Sequence, residues 1–362
     1  MLTIFHRELN RGPISSAVEG SQSTPRRTHF GPNLLLWGLH RRMSGQITMR
    51  AESRSRSAGS AFGLILTLVL IVLTLSGCSI RRFAADRIGN AMAEGGASVF
   101  ATDNDPELVG AALPFSLKTI EMLLEQSPRN KKLLLAAASG FTQYAYAYVQ
   151  NEADFMEDTD LARATELRER AIKLYRRALA YGIRGLEETQ RDFQHLLRSD
   201  PKTALAPFKK DDVPLLYWTA AAWGAAISLD KTNAALSADL PYVEALIGRA
   251  LELDEGFDRG AIHEFLISYE GGKPAAGGGS AERARKHLER ALQLSGGSRA
   301  APLVAFAEGV DVSEQNSAEF KKLLEQALAI DVDKVPDQRL ANIIAQKRAR
   351  WLLSRTDRLF LE

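Results

Sequence analysis

The chain has 362 residues, 45% hydrophobic and 25% charged, which suits one large or two ordinary folded domains. The net charge of +2 is unevenly placed: residues 1–77 hold nine Arg, no Lys and three acids, leaving 37 basic and 41 acidic side chains in residues 78–362. A body without clustered positive charge excludes a nucleic-acid footprint, and a single cysteine excludes an internal disulfide.

Residues 1–48 carry scattered Arg and Pro13, Pro25 and Pro32, with no periodic pattern. They read as a mis-start or a disordered stretch, with Met49 or Met43 the more reasonable beginning. Residues 49–77 read as a signal peptide. The apolar run AFGLILTLVLIVLTL (61–75) is too short to span a bilayer and the right length for a secretory core. Arg50, Arg54 and Arg56 precede it, and Leu75-Ser76-Gly77-Cys78 follows it. That junction resembles a bacterial lipobox, which implies cleavage before Cys78 and covalent lipid on its thiol. Several acyl chains would hold the protein stably to a membrane. By resemblance to lipoprotein sorting in well-studied bacteria, Ser79 rather than Asp at the second mature position favours a periplasm-facing place in the outer membrane over retention in the inner one.

Residues 78–104 form the lipid-anchored N-terminal segment, and residues 105–362 a helical domain. Asp105-Pro106-Glu107 supplies an N-cap, a Pro at the first helical position and an early acid. Ser127-Pro128-Arg129-Asn130 stops that helix. The spacing predicts a second helix over Lys131–Val149 and a third over Leu161–Tyr181, ended by Gly182 and Gly185. The alternation Tyr144-Ala-Tyr146-Ala-Tyr148 sits inside the Ala-rich second helix. Gly271 to Ser280 reads as a loop, and Pro274 after Lys273 rules out a phosphate loop.

Four later segments align: RAIKLYRRALAYG, YVEALIGRALELDEG, ARKHLERALQLSGG and FKKLLEQALAIDVD. Each places a large side chain three residues before an Ala: Tyr175 and Ala178, Ile247 and Ala250, Leu288 and Ala291, Leu324 and Ala327. The segments resemble the second helix of a tetratricopeptide unit. The expected fold is all-α, a solenoid of tetratricopeptide-like helical hairpins with a concave binding face. An ordinary Ala-rich helical bundle is the alternative.

No catalytic constellation emerges. His263-Glu264 begins like a zinc-protease helix, but Ile267 stands where the second His belongs. No metal site and no cofactor beyond the lipid on Cys78 are expected. The candidate binding residues are Tyr144 and Tyr148 on the second helix, Trp218 and Trp223 on an apolar helix, and the polar-aromatic group His263, Glu264, Tyr269 and Glu270. Arg339, Asn342, Gln346 and Arg350 share one helical stripe that would suit an anionic partner or solute. For each set, core packing or a solvated face is the plainer reading.

The stretches DNDPELV (103–109), LPFSLKTIEMLLEQSPRN (113–130), AAASGFTQYAYAYVQNEAD (136–154), PLLYWTAAAWGAAISL (214–229), GAIHEFLISYE (260–270) and RLANIIAQKRARWLLSRTDRLFLE (339–362) resemble the T component of TRAP (tripartite ATP-independent periplasmic) transporters. The resemblance covers essentially all of residues 78–362. It implies a non-enzymatic lipoprotein accessory that docks the periplasmic solute-binding protein in uptake of organic anions, often carboxylates. Self-association is left open. The alternatives are a lipoprotein that carries an apolar or anionic solute through its own pore, and a generic repeat adaptor for envelope assembly.

Overall fold

The computed structural model describes residues 83–92, 95, 98–273 and 277–361. The leader, its boundaries and Cys78 lie outside these residues. Among the described residues every regular element is helical, and no helix is long and apolar enough to cross a membrane.

Helix α1 (residues 83–92) precedes α2 (Pro106–Gln126). The Asp105 carboxylate accepts from the Glu107 and Leu108 amides and so starts α2, while Ser127 ends it. Asn130 caps α3 (Lys131–Tyr144) in the same way. The second helix does not stop near Val149 as its composition suggests. It passes through a π-helical turn (Ala145–Gln150) into α4 (Asn151–Met156).

Helix α5 (Leu161–Glu187) buries Ala164, Leu167, Ala171, Tyr175 and Ala178, a spacing of three and four residues that keeps one stripe inward. It also outruns its expected end at Tyr181. Gly182 and Gly185 do not terminate it. They let α8 approach: a Cβ at Gly182 would strike the Thr219 side chain, and one at Gly185 would lie 2.7 Å from Leu215. A glycine inside a helix costs roughly 1 kcal/mol against alanine, here offset by the packing of α5 on α8.

Two short helices, α6 (Phe193–Ser199) and α7 (Pro201–Leu205), lead to α8 (Val213–Leu229). Helix α8 is apolar all round because α3, α5 and α10 cover it. After α9 (Ala234–Ser237) come α10 (Leu240–Leu253), α11 (Ala261–Gly271) and α12 (Ala281–Ser295). Gly260 joins the α10–α11 connection to α11 at φ +95°, and a Cβ there would lie 3.2 Å from the Ala291 Cα, so only glycine fits both the dihedral and the space.

Helix α13 (Ala301–Phe306) ends in a second π turn (Ala307–Asp311) and is followed by α14 (Ser317–Leu328), α15 (Arg339–Leu353) and α16 (Thr356–Leu359). The pairs α3/α5, α8/α10, α11/α12 and α13/α14 pack as successive hairpins. The four aligned segments form the second helix of each, and all eight of their paired large and Ala side chains are buried. Helix α15 then packs on α13, α14 and α2, so the last long helix meets the first part of the chain.

One buried ion network holds that return. Arg348 on α15 donates to both oxygens of Glu308, at 2.7 and 2.5 Å, and through Nη1 to Asn151 (2.7 Å) and Asp154 (3.1 Å). Glu308 lies in one π turn and Asn151 directly follows the other. The carboxylates around the fully buried Arg348 hold its guanidinium charged, well above the ordinary Arg range.

Candidate functional site

Where α15 closes against α1, α2, α3, α8 and α13, the helices enclose a cavity of about 1170 Å³. That volume slightly exceeds the upper end of ordinary small-molecule pockets, on the order of 1,000 Å³. Its walls are mainly apolar: Leu113, Leu117 and Ile120 from α2, Leu135, Ala136 and Ala147 from the α3 region, Trp218 from α8, Val304 from α13, and Ile344 and Ala345 from α15. Ser116, Ser139 and Gln143 add isolated polar groups.

One end is polar, and its charges are satisfied within the protein. Arg299 is buried and pairs with Glu264 at 2.8 Å and with Asp258 at 3.1 Å. Gln338 donates to Asp258 at 3.3 Å. Asn342 accepts from the Ala300 amide and donates to the Ser298 carbonyl, both at 2.9 Å. An ion pair held this way is rigid and already neutralised, so it shapes that end of the cavity.

Tyr148 also lines the cavity. Its ring stacks on Tyr144 at 5.8 Å and fills the place a side chain at Gly110 would need. Burial, with Asp103 and Asp105 nearby, pushes its hydroxyl up to about 12. It is neutral at any physiological pH and adds no charge to the cavity.

The twelve candidate residues separate in space. Tyr148, Trp218 and Asn342 reach the cavity. Tyr144 is buried outside it, its hydroxyl 3.2 Å from Arg170. Trp223 packs on Tyr242 at 5.9 Å in the core. His263 meets His287, Nδ1 to Nδ1 at 2.9 Å, and Glu255 at 3.2 Å. Burial lowers both imidazoles, His287 to about 4. Glu264 is the partner of Arg299. Tyr269 donates to Glu244, and Glu270 pairs with Arg283 at 2.7 Å, both beside a small hollow under the Gly-rich loop. Arg339 binds Asp333 (2.7 Å) and the Thr102 carbonyl (2.7 Å). Gln346 is buried and donates to the carbonyls of Ala327, Leu328 and Ile330. Arg350 is exposed. The stripe 339–350 is thus split between chain closure, cavity wall, helix-end capping and solvent.

The residues overlooked by sequence reading are the small and aliphatic ones, such as Ala136, Ser139, Ala147, Ile344 and Ala345. Each looks like ordinary helix packing. Their role lies in what they fail to fill, and no local pattern reports that. Among the described residues no group of three or more His, Cys, Asp or Glu side chains could hold a metal ion.

Comparison with known proteins adds a family to this geometry. Residues 102–360 match the family described as TRAP transporter T-component. Over 307 residues, 80% of this chain and 95% of the relative, the sequence is 29% identical to an uncharacterized protein of Treponema pallidum (strain Nichols).

Proposed function

The chain belongs to the TRAP transporter T-component family, and from that premise we propose that it is the lipid-anchored accessory that docks a solute-binding protein and takes the apolar part of an organic anion into its cavity. The family makes it a transporter accessory component. The finer reading rests on one observation: a cavity of about 1170 Å³ whose walls are apolar and whose polar end is internally paired. A surface adaptor alone has no need of such a space. A solute with a hydrocarbon portion gains from leaving water there, by about 25 cal/mol for each Å² of apolar surface removed. In this reading Cys78 carries the lipid, and the body faces the periplasm from the outer membrane. A weak docking contact is enough there, because tethering raises the effective concentration of the two proteins.

Two measurements test this together. The first is displacement of an anilinonaphthalene sulfonate dye from the purified mature chain by medium-chain carboxylates. Ala136→Phe and Ser139→Phe, both on the cavity wall, are expected to abolish dye binding. Equal binding by wild type and both variants would overturn the cavity reading. The second is calorimetric titration against the solute-binding protein encoded nearest to this chain. No heat at high micromolar concentration, with empty or loaded partner, would overturn the docking reading.

A further inference from the structure

Eight large apolar side chains are exposed among the described residues, and six of them fall between residues 83 and 122. Ile88 and Val99 line the cavity. The others include a regular set on α2: Leu108, Phe115 and Met122, at 59%, 75% and 59% exposure, recur every seven residues and so share one stripe. Phe83 is exposed just upstream, with Arg87 over its ring at 5.2 Å. We infer that this stripe of α2 rests on the surface of the bilayer that carries the lipid of Cys78. The inference builds on the lipid-anchor reading above.

The tether decides the occupant. Phe83 is five positions after Cys78, and a chain spans at most about 3.6 Å per residue, so Phe83 lies within ~18 Å of the acylated cysteine. Helix α1 is in turn pinned to the end of α2. Ser127, the C-cap of α2, donates to Asp86, and Asn130 donates to Asp86 at 2.7 Å and to Asn90 at 3.1 Å. Met122 is five residues before Ser127. The stripe therefore begins beside the tethered end and runs toward Leu108 over ~21 Å, at about 1.5 Å per residue.

Charge does not choose the occupant: Lys118, with 66% of its side chain exposed, pairs with Glu121, and Glu107 and Glu125 are also exposed on α2. The tether and the aromatic and aliphatic stripe, the feature by which interfacial helices enter the headgroup boundary, carry the case. Contact along α2 also orients the cavity, since Leu113, Leu117 and Ile120 on the same helix form part of its wall.

Acylation consumes the thiol of the sequence's one cysteine, so Phe115→Cys adds the single free thiol of the mature lipoprotein. The experiment labels it with the fluorophore NBD in vesicles of phosphatidylethanolamine and phosphatidylglycerol, with and without brominated acyl chains. The same label on Glu289→Cys, at an exposed position of α12, is the control. The expected result is blue-shifted emission at residue 115 that bromolipid quenches, with neither effect at residue 289. Water-like emission at residue 115 in protein that floats with the vesicles would overturn the inference and leave the anchor standing. A blue shift that bromolipid does not quench and that grows with protein density would also overturn it, by showing that a second copy covers the stripe. Protein that fails to float and lacks acyl mass would overturn the anchor reading first, and this one with it.

Discussion

The two halves of the helical body are cohesive for different reasons. From α2 to α10 the buried side chains are almost all apolar, many of them Ala, and Asp212 is the one carboxylate or basic side chain buried there. From α11 to α16 the interior also holds His263, Glu264, Arg299, Glu308, Asp311, Arg348 and Arg355. Apolar burial is non-directional and tolerates repacking. Buried charges tolerate only the arrangement that pairs them, because an orphaned charge costs several kcal/mol. The first half is therefore held by close apolar packing, and the second adds paired charges that fix how α15 returns to close the cavity.

The sharpest way to break that contrast is Arg348→Ala. It strands Glu308 in the interior and should lower stability by about 3–5 kcal/mol in denaturant titration. Arg348→Met with Glu308→Leu should recover most of the loss, since Arg168 still pairs with Asp154 at 3.2 Å. A single variant that costs nothing measurable would show that the network does not lock the fold.

The next effect is tied to pH. Asp311 is fully buried in the second π turn, and burial, with Glu319 beside it, raises its carboxyl from 3.8 to about 8. Between those values the folded state keeps a proton that the unfolded state has lost. Stability is complete below about pH 4 and falls as pH rises through 8. Asp311→Asn should remove this slope and stabilise the protein at pH 9 by about 3 kcal/mol, allowing for relaxation around the ionised group. Parallel unfolding curves for variant and wild type across pH 4–9 would contradict it.

Ala250→Leu and Ala291→Leu compare the halves directly. Both should overpack a hairpin, at about 1–3 kcal/mol. The second should cost more, because the Ala291 backbone abuts the fixed Gly260 turn. Thermal melts that reverse this order would argue that the apolar half is the more tightly specified one.

The smallest effect concerns the His263–His287 contact. Burial lowers His287 from 6.5 to about 4, against the opposing pull of Glu270 and alongside the repulsion of His263 and Arg283; Glu255 and Arg290 face His263. The unfolded state takes up the proton first as pH falls. This contribution is therefore complete above about pH 6.5 and drains toward pH 4. His287→Phe should remove roughly 1–2 kcal/mol of that acid sensitivity, discounted for partial exposure. An unchanged acid limb in the difference curve would place the sensitivity elsewhere.

Much of the fold could be read from local chemistry. Asp105 is a legible cap because a short carboxyl side chain satisfies free helix amides; Asn130, read only as part of the stop after α2, caps α3 in the same way. Ala178, Ala250, Ala291 and Ala327 mark close helix contacts wherever they fall. Misreadings arose where one residue type serves two ends. Gly182 and Gly185 looked like helix stops, yet they are clearances for α8. Tyr144 and Tyr148 share one helix as candidate binding residues, yet only Tyr148 reaches the cavity, with Tyr146, while Tyr144 is buried outside it.

By itself the sequence determined the helical class, the starts of its first three long helices and the aligned second helices of four hairpins, each encoded in spacing along the chain or in short-range capping; the T-component resemblance rests instead on the long matching stretches themselves. Only the tertiary structure decided that α15 returns to α2, that Arg348 ties the second π turn to α4, and that a cavity is left where α15 meets α2 and its neighbours. Those features depend on residues such as Asn151 and Arg348, 197 positions apart, meeting in space. A cavity has no residue of its own to read: it is the volume left when helices are held apart, and only the packed arrangement of all of them sets it.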